Sequence, residues 1–134
     1  MATVYTNVTR DYRDLDLNMN VHPVRKDINK HVGEMAVINS IKNIISFNRK
    51  ERLFNPQFGG NIRALLFENL DNITSVRMEK EIYQMIANYE PRANVSKVTV
   101  TPDPDNNLFI VKIEFSIVNK QEPIIVTFQL ERTR

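Results

Sequence analysis

Apolar residues recur along this chain with two different periods, and the change between them separates a helical part from a strand part. Between residues 34 and 89 the apolar residues return every three or four positions, a spacing that predicts amphipathic helices. From residue 95 onward they alternate with polar residues, which predicts strands with one buried face. The first 33 residues are polar and show no sustained period, so we expect an extended N-terminal arm with only short local structure.

Three segments carry the helical spacing. The first follows Gly33, and the third ends before Pro91, because proline disfavours helical geometry in the preceding residue and has no N–H to donate. Thr74 or Ser75 is the predicted cap of the third helix, and residues 47–61 are predicted to form a loop. The predicted apolar faces are Ile38, Ile41, Ile44 and Ile45 in the first helix, Ile62, Leu65 and Leu66 in the second, and Val76, Ile82, Met85, Ile86 and Tyr89 in the third.

Strands are predicted at residues 95–101, 108–118 and 124–131, and the turns between them are short enough for an antiparallel meander. The residues expected on the buried face are Phe109, Val111, Ile113, Phe115 and Ile117, followed by Ile124, Val126, Phe128 and Leu130. The sequence therefore predicts an α+β fold in which three helices pack on a three-stranded antiparallel β-meander. Residues 34–134 would form this domain and residues 1–33 the extended N-terminal arm.

Composition narrows the function classes. A chain of 134 residues with 42% hydrophobic and 25% charged residues suits one soluble globular domain. The net charge of +2 is too small to indicate nucleic acid or an acidic membrane as a partner. The absence of cysteine excludes disulfides and Cys-ligated zinc. No secretory signal and no apolar run of roughly 18 residues is present, so we expect a soluble protein that folds in the cytoplasm.

Catalytic chemistry has weak candidates. The two histidines, His22 and His31, lie in the polar arm outside any recognisable catalytic motif. Glu68 has apolar neighbours and Asp71 is close in sequence, as a glycoside hydrolase would need, but neighbours in sequence do not make a pocket. We therefore expect no enzymatic activity, with a glycoside hydrolase as the alternative.

Metal and cofactor sites are also not expected. Four oxygen-bearing residues of the stretch "DPDNNLFIVKIE" match positions of a calcium loop, but Leu108 stands where glycine is needed for the sharp turn. No phosphate-binding loop is present, so we expect neither a nucleotide nor a small-molecule substrate. The matching residues are Asp103, Asp105, Asn107 and Glu114.

Two surfaces could contact other macromolecules. Arg49, Lys50 and Arg52, interleaved with Phe47 and Phe54, could touch nucleic acid, but the balanced total charge favours a solvated loop. The last strand is apolar on one face and lightly charged, so its edge could accept a strand from a partner. Nearby charges, or a covering helix or arm, could equally protect this edge, and the sequence leaves both readings open.

The stretch "ERLFNPQFGGNIRALLFENL", a helix closing in "NYEPR" and a following β-meander resemble the small baseplate wedge subunit of contractile-tailed phages. The same family includes a baseplate component of type VI secretion systems, which is the alternative within the family. The resemblance runs from about Ala36 to Leu130 and implies a structural protein of the virion tail baseplate, assembled in the host cytoplasm. Its implied partners are the helical core bundle of other wedge proteins and the tail sheath, whose assembly the subunit would initiate by β-strand augmentation. The copies would follow six-fold symmetry.

The resemblance also implies which residues bind these partners. Glu90, Pro91 and Arg92 match a Glu-Pro-Arg motif associated with docking to the core bundle, although a local ion pair that caps the helix fits the same spacing. Many members have a glycine where this chain has Lys50 or Glu51. Some members have been labelled lysozymes, which makes a peptidoglycan-cleaving, lysozyme-like hydrolase the alternative that the resemblance implies. The strand implied to pair with sheath comprises Ile124, Ile125, Val126, Thr127, Phe128, Gln129 and Leu130.

Overall fold

A computed structural model describes residues 12–16, 18–118 and 120–132. The elements in chain order are β1 (Arg13–Leu15), β2 (Lys30–Val32), α1 (Glu34–Ser46), α2 (Ile62–Leu66), α3 (Asn72–Tyr89), β3 (Ala93–Asp103), β4 (Leu108–Ile117) and β5 (Lys120–Glu131). The predicted α+β class, with three helices and a three-stranded antiparallel meander, is confirmed for this part of the chain. Within it, no helix is both long and apolar enough to cross a membrane.

The helices bury the faces that their spacing predicts except at Val76, and the predicted cap of α3 also needs correction. The N-cap of α1 is Gly33, whose positive φ of 67° glycine adopts without strain. The predicted cap of α3 was wrong, because Asp71 caps that helix and accepts a 2.7 Å hydrogen bond from the Thr74 N–H. Val76 is also exposed, and Met78 takes its place in the core, since Met78 lies one turn before the buried Ile82.

The sheet has the order β3-β4-β5, so β4 is central and buries alternate side chains beneath the helices. The predicted inward residues of β4 are all buried, and those of β5 are partly buried against the same core. Helix α3 runs beside β3, where Glu79 Oε1 accepts a 2.8 Å hydrogen bond from the Val100 N–H. One edge of the sheet therefore has a helix against it and the other ends at β5.

The described part of the predicted arm has its own small sheet. β1 pairs antiparallel with β2, placing Arg13 opposite Val32, and both strands contact α1. The Asp16 carboxylate orders the connection by accepting from the Asn18 N–H and lying 3.3 Å from His31 Nε2. Residues 1–11 and Leu17 of the arm lie outside the described residues, and the division at residue 33 stays a prediction.

Candidate functional site

The Glu-Pro-Arg motif forms the connection between α3 and β3. The backbone N–H of Glu90 still bonds the Ile86 carbonyl at 2.8 Å, as the last N–H of the helix. Pro91 then stops the helix, and the Ala93 N–H bonds the Glu90 carbonyl at 3.2 Å in a tight turn. Because this turn holds the backbone on both sides of the proline, the two charged side chains leave it in fixed directions.

Those side chains form a bidentate ion pair. Arg92 Nε donates to Glu90 Oε1 at 2.5 Å, and Arg92 Nη2 donates to Glu90 Oε2 at 2.7 Å. The side chain of Glu90 is only 2% exposed, whereas that of Arg92 is 27% exposed. Glu90 is therefore held inside the protein, while its partner reaches the surface.

Electrostatics keep this pair ionised. Burial by itself would raise the pKa of Glu90, but hydrogen bonds from the side chains of Arg92 and Ser40, together with the guanidinium charge, lower it below its ordinary value. The hydrogen bond to Glu90 raises the pKa of Arg92. Ser40 belongs to α1, so the buried carboxylate also ties the end of α3 to that helix.

One face of the Arg92 guanidinium lies against the N-terminal segment. Its central carbon lies 5.2 Å from the ring centre of Tyr12, a distance typical of a cation–π contact. A guanidinium has five N–H donors in a fixed fork, and Glu90 receives two of them. The described residues thus contain the local ion pair that the spacing allowed. A contact between Arg92 and a partner protein is still possible, because three of its five N–H donors are not received by Glu90.

The second predicted surface is the β5 edge. In the described part of the chain β5 pairs only with β4, and a groove lies between β5 and α1. The groove is lined by Lys42, Ile45 and Ser46 of the helix and by residues 127–130 of the strand. Ile125 points away from the core and is 56% exposed.

The candidate catalytic carboxylates do not form an acid–base pair. Glu68 is exposed and lies 3.4 Å from Arg77 Nη1, the geometry of a surface ion pair. Asp71 is used as a helix cap, and the Thr74 backbone N–H is the main reason that its pKa is lowered. A glycosidase needs one carboxyl in an apolar setting, whereas Glu68 is exposed beside a guanidinium and Asp71 is occupied as a helix cap.

The remaining candidates have structural partners. The carboxylate of Asp103 accepts from the Asn106 side chain at 2.8 Å, as in a tight turn, and His22 Nδ1 accepts from the Val24 and Arg25 N–H groups at 3.2 Å. Three or more His, Asp or Glu side chains do not gather into a metal-binding group anywhere among the described residues.

The basic cluster has partners of two kinds. Arg49 lies 3.5 Å from the Glu81 carboxylate, and the Arg52 guanidinium lies 4.7 Å from the centre of the Phe58 ring. Sequence reasoning missed Leu53, which is 92% exposed beside the fully exposed Phe54. The available signal was two adjacent large apolar residues inside a predicted loop.

The sequence of this chain matches a known protein family and one characterised relative. The family model described as baseplate wedge protein gp25 matches residues 31–122. The chain is 33% identical over 118 residues to the baseplate wedge protein gp25 of Enterobacteria phage T4, and the match covers 88% of this chain and 89% of that protein.

Two solved structures share the fold. A protein of Geobacter sulfurreducens described as a tail lysozyme gives a TM-score of 0.67 at 22% identity, covering 75% of this chain and 92% of that one. A chain of the anti-feeding prophage baseplate gives a TM-score of 0.64 at 17% identity, covering 92% of this chain and 88% of that one. At such low identity the two similarities show a shared fold alone.

Proposed function

The chain belongs to the baseplate wedge protein gp25 family, as the resemblance in its sequence predicted, and from this membership we propose that it is a structural subunit of a contractile tail baseplate. It binds other wedge proteins through Glu90, Pro91 and Arg92, and it offers the β5 edge to the tail sheath. Its place is the virion baseplate, in copies that follow the six-fold symmetry of the tail. The single observation that carries the docking proposal is the bidentate pair, with Glu90 buried and Arg92 at the surface.

The geometry of the pair supports a docking role. Glu90 holds the guanidinium plane in place, so the N–H donors that Glu90 does not receive can meet a partner with little further loss of side-chain entropy. Such a fork suits a carboxylate or a row of backbone carbonyls, for example at the C-terminal end of a partner helix. Truncating one member of a buried interfacial charge pair costs roughly 2–5 kcal/mol of binding free energy.

The assignment of β5 as the strand that meets sheath is supported by the state of the opposite edge of the sheet, which β3 forms. Glu79 accepts from the Val100 N–H and α3 runs beside β3, so an added strand would meet a helix at that edge. β5 offers a strand of 12 residues with a groove beside it. We therefore assign β-augmentation by sheath to residues 124–130 of β5.

The docking experiment compares binding to the neighbouring wedge proteins of the same tail. Wild type should be incorporated, and Arg92→Ala should remain folded but fail to be incorporated. Arg77→Ala, which removes an exposed ion pair of α3 from Glu68, is the matched control and should be incorporated normally. Normal incorporation of folded Arg92→Ala would refute the docking role and leave the motif as a helix cap. Peptidoglycan turnover measured on the same wild-type preparation, if abolished by Glu68→Gln, would make the protein a hydrolase instead.

The edge experiment uses two prolines at adjacent positions. Neighbouring residues of a strand direct their N–H groups to opposite sides, so only one of Val126 and Thr127 donates to β4. Proline at the other position should leave the domain folded and stop sheath growth, because it removes an outward donor. Circular dichroism identifies the folded variant, and normal sheath on its baseplates would exclude the β5 edge.

A further inference from the structure

The loop at residues 47–61 presents two large apolar side chains entirely to solvent. Leu53 is 92% exposed and Phe54 is 100% exposed. Among the large apolar residues that the structure describes, the next most exposed is Val24, at 82%. Adjacent exposed aliphatic and aromatic side chains are unusual on a surface unless a partner covers them.

The backbone around these two residues is well ordered by hydrogen bonds. The Asn55 N–H bonds the Arg52 carbonyl at 3.2 Å, so Leu53 and Phe54 are the two central residues of a β-turn. Below the turn, the Lys50 N–H bonds the Pro56 carbonyl at 2.8 Å and closes the loop. The two apolar side chains are therefore carried at the tip of a closed loop.

An aromatic cluster fixes the base of this loop to α3. The ring of Phe58 lies 4.7 Å from that of Tyr89 and 5.8 Å from that of Phe47, measured between ring centres. The Tyr89 hydroxyl donates a 2.6 Å hydrogen bond to the Gln57 carbonyl. Tyr89 is the last residue of α3, directly before Glu90, so the loop is anchored next to the proposed docking motif.

The rim of the tip is positively charged. The one acidic side chain of the tip, Glu51, accepts from Asn48 and lies 3.5 Å from Arg63 Nη1, which neutralises it locally. Lys50 and Arg52 have no carboxylate partner in the part of the chain that the structure describes, so they keep their charge toward solvent. A complementary surface is an apolar pocket with acidic residues at its rim.

We propose that Leu53 and Phe54 form an apolar knob that inserts into an acidic-rimmed pocket on another wedge protein. This inference rests on the proposed function and names a second contact beside Glu90 and Arg92. A protein pocket is favoured over a lipid surface because the hydrogen-bonded turn projects only two adjacent apolar side chains, an area that suits anchor residues of a protein interface. The base of the loop that carries the knob packs on Tyr89, directly before Glu90, so one neighbouring wedge protein bound at the docking motif would lie next to this loop.

The first test identifies the partner by photocrosslinking. A photoreactive phenylalanine analogue replaces Phe54 in the full chain, and the probe is the wedge assembly purified from the same tail with this chain deleted. The expected result is a crosslink to one wedge protein, mapped to a segment that contains acidic residues. The same analogue at Val24 is the matched control for an exposed apolar position and should not crosslink to that segment. No crosslink from position 54 in assemblies that incorporate the chain would overturn the inference.

The second test measures affinity for the same assembly. Leu53→Ser with Phe54→Ser should weaken binding at least tenfold with an unchanged melting temperature, because neither side chain packs against the core. Val24→Ser should bind as wild type. Tyr89→Phe removes the hydrogen bond to Gln57 without altering the knob, and should slow association several-fold. Lys50→Asn, which tolerates the positive φ of 73°, should reduce the salt dependence of binding.

The outcomes separate the knob from the proposed function. If wild type binds, Arg92→Ala fails to bind and the double serine variant binds normally, the knob is refuted while the baseplate role stands. If wild type itself is not incorporated, the proposed function fails. Binding to vesicles of phosphatidylcholine and phosphatidylglycerol that the serine variant loses, without a wedge crosslink, would overturn the protein pocket in favour of a membrane.

Discussion

Replacing Arg92 with alanine tests both the stability and the docking that we assign to the Glu-Pro-Arg motif. The substitution removes two charge-assisted hydrogen bonds, at 2.5 and 2.7 Å, and leaves a carboxylate that is 2% exposed. Breaking a fully buried pair by removing one partner costs about 3–5 kcal/mol. Since the Arg92 side chain is partly exposed, water enters the vacated space and hydrates the carboxylate. We therefore expect Arg92→Ala to lower the unfolding free energy by about 2–4 kcal/mol.

That loss leaves a folded protein. A domain of this size has an unfolding free energy on the order of 5–15 kcal/mol, so Arg92→Ala should melt cooperatively, about 6–16 °C below wild type. Arg92→Lys keeps the positive charge but loses the two-pronged donor geometry, so its melting temperature should lie between those of wild type and Arg92→Ala. The control Arg77→Ala removes a pair whose side chains are 62% and 44% exposed, and should cost less than about 1 kcal/mol.

The dependence on pH identifies the carboxylate as the cause. The pKa of Glu90 in the folded wild type is below 4.5, so its pair adds stability above about pH 4.5 and loses it as the pH falls through the folded pKa. Without Arg92, burial raises the pKa of Glu90, so the folded variant takes up a proton more readily than its unfolded state. The difference in unfolding free energy between wild type and Arg92→Ala should therefore be largest near pH 7 and become smaller toward pH 3. Thermal melts across this range measure it, and a gap that matches the Arg77→Ala control or does not change with pH would refute the reasoning.

Three further substitutions, two of them with a matched control, test the fold that positions these surfaces. Gly59→Ala should lower the unfolding free energy by about 2–4 kcal/mol in chemical denaturation, because φ is 96° and a Cβ would lie 2.5 Å from the Phe47 carbonyl oxygen. Gly33→Ala, whose φ is also positive but whose Cβ would have nothing within 4 Å, should lower it by only about 1 kcal/mol. Glu79→Ala should cost about 1–3 kcal/mol by leaving the Val100 N–H unpaired, and faster amide exchange at Val100 would accompany it; unchanged exchange would contradict the account of this edge. Phe115→Ala should lower the unfolding free energy by about 3–5 kcal/mol in the same denaturation assay, whereas Phe67→Ala, at a 55% exposed position, should lower it by no more than about 1 kcal/mol. Equal losses for the two variants would contradict the assignment of Phe115 to the core.

Much of the fold followed from local pattern. The period of two between residues 108 and 118 identified every buried side chain of β4, because a strand can bury only alternate residues against the helices. Pro91 set the end of α3 for an equally local reason. The error at Val76 was avoidable, since counting four residues back from Ile82 leads to Met78, which is buried.

The candidate sites depended more on contacts between distant parts of the chain. The sequence showed Glu90 and Arg92 two residues apart, but the burial of Glu90 depends on α1, whose Ser40 also bonds it. The choice of open edge depends on Glu79, which meets Val100 across 21 positions of sequence. The exposure of Phe54 is likewise set by hydrogen bonds that close the loop beneath it.

The sequence by itself determined the three helices, the three strands of the meander, most of their buried faces and the family, because these depend on residues within one helix or strand or within one short motif. Only the tertiary structure decided which charged side chain is buried, which sheet edge is uncovered and which apolar residues remain in solvent. Each of these depends on whether a distant segment displaces water from the group in question, and that displacement exists only once helices and sheet have packed together.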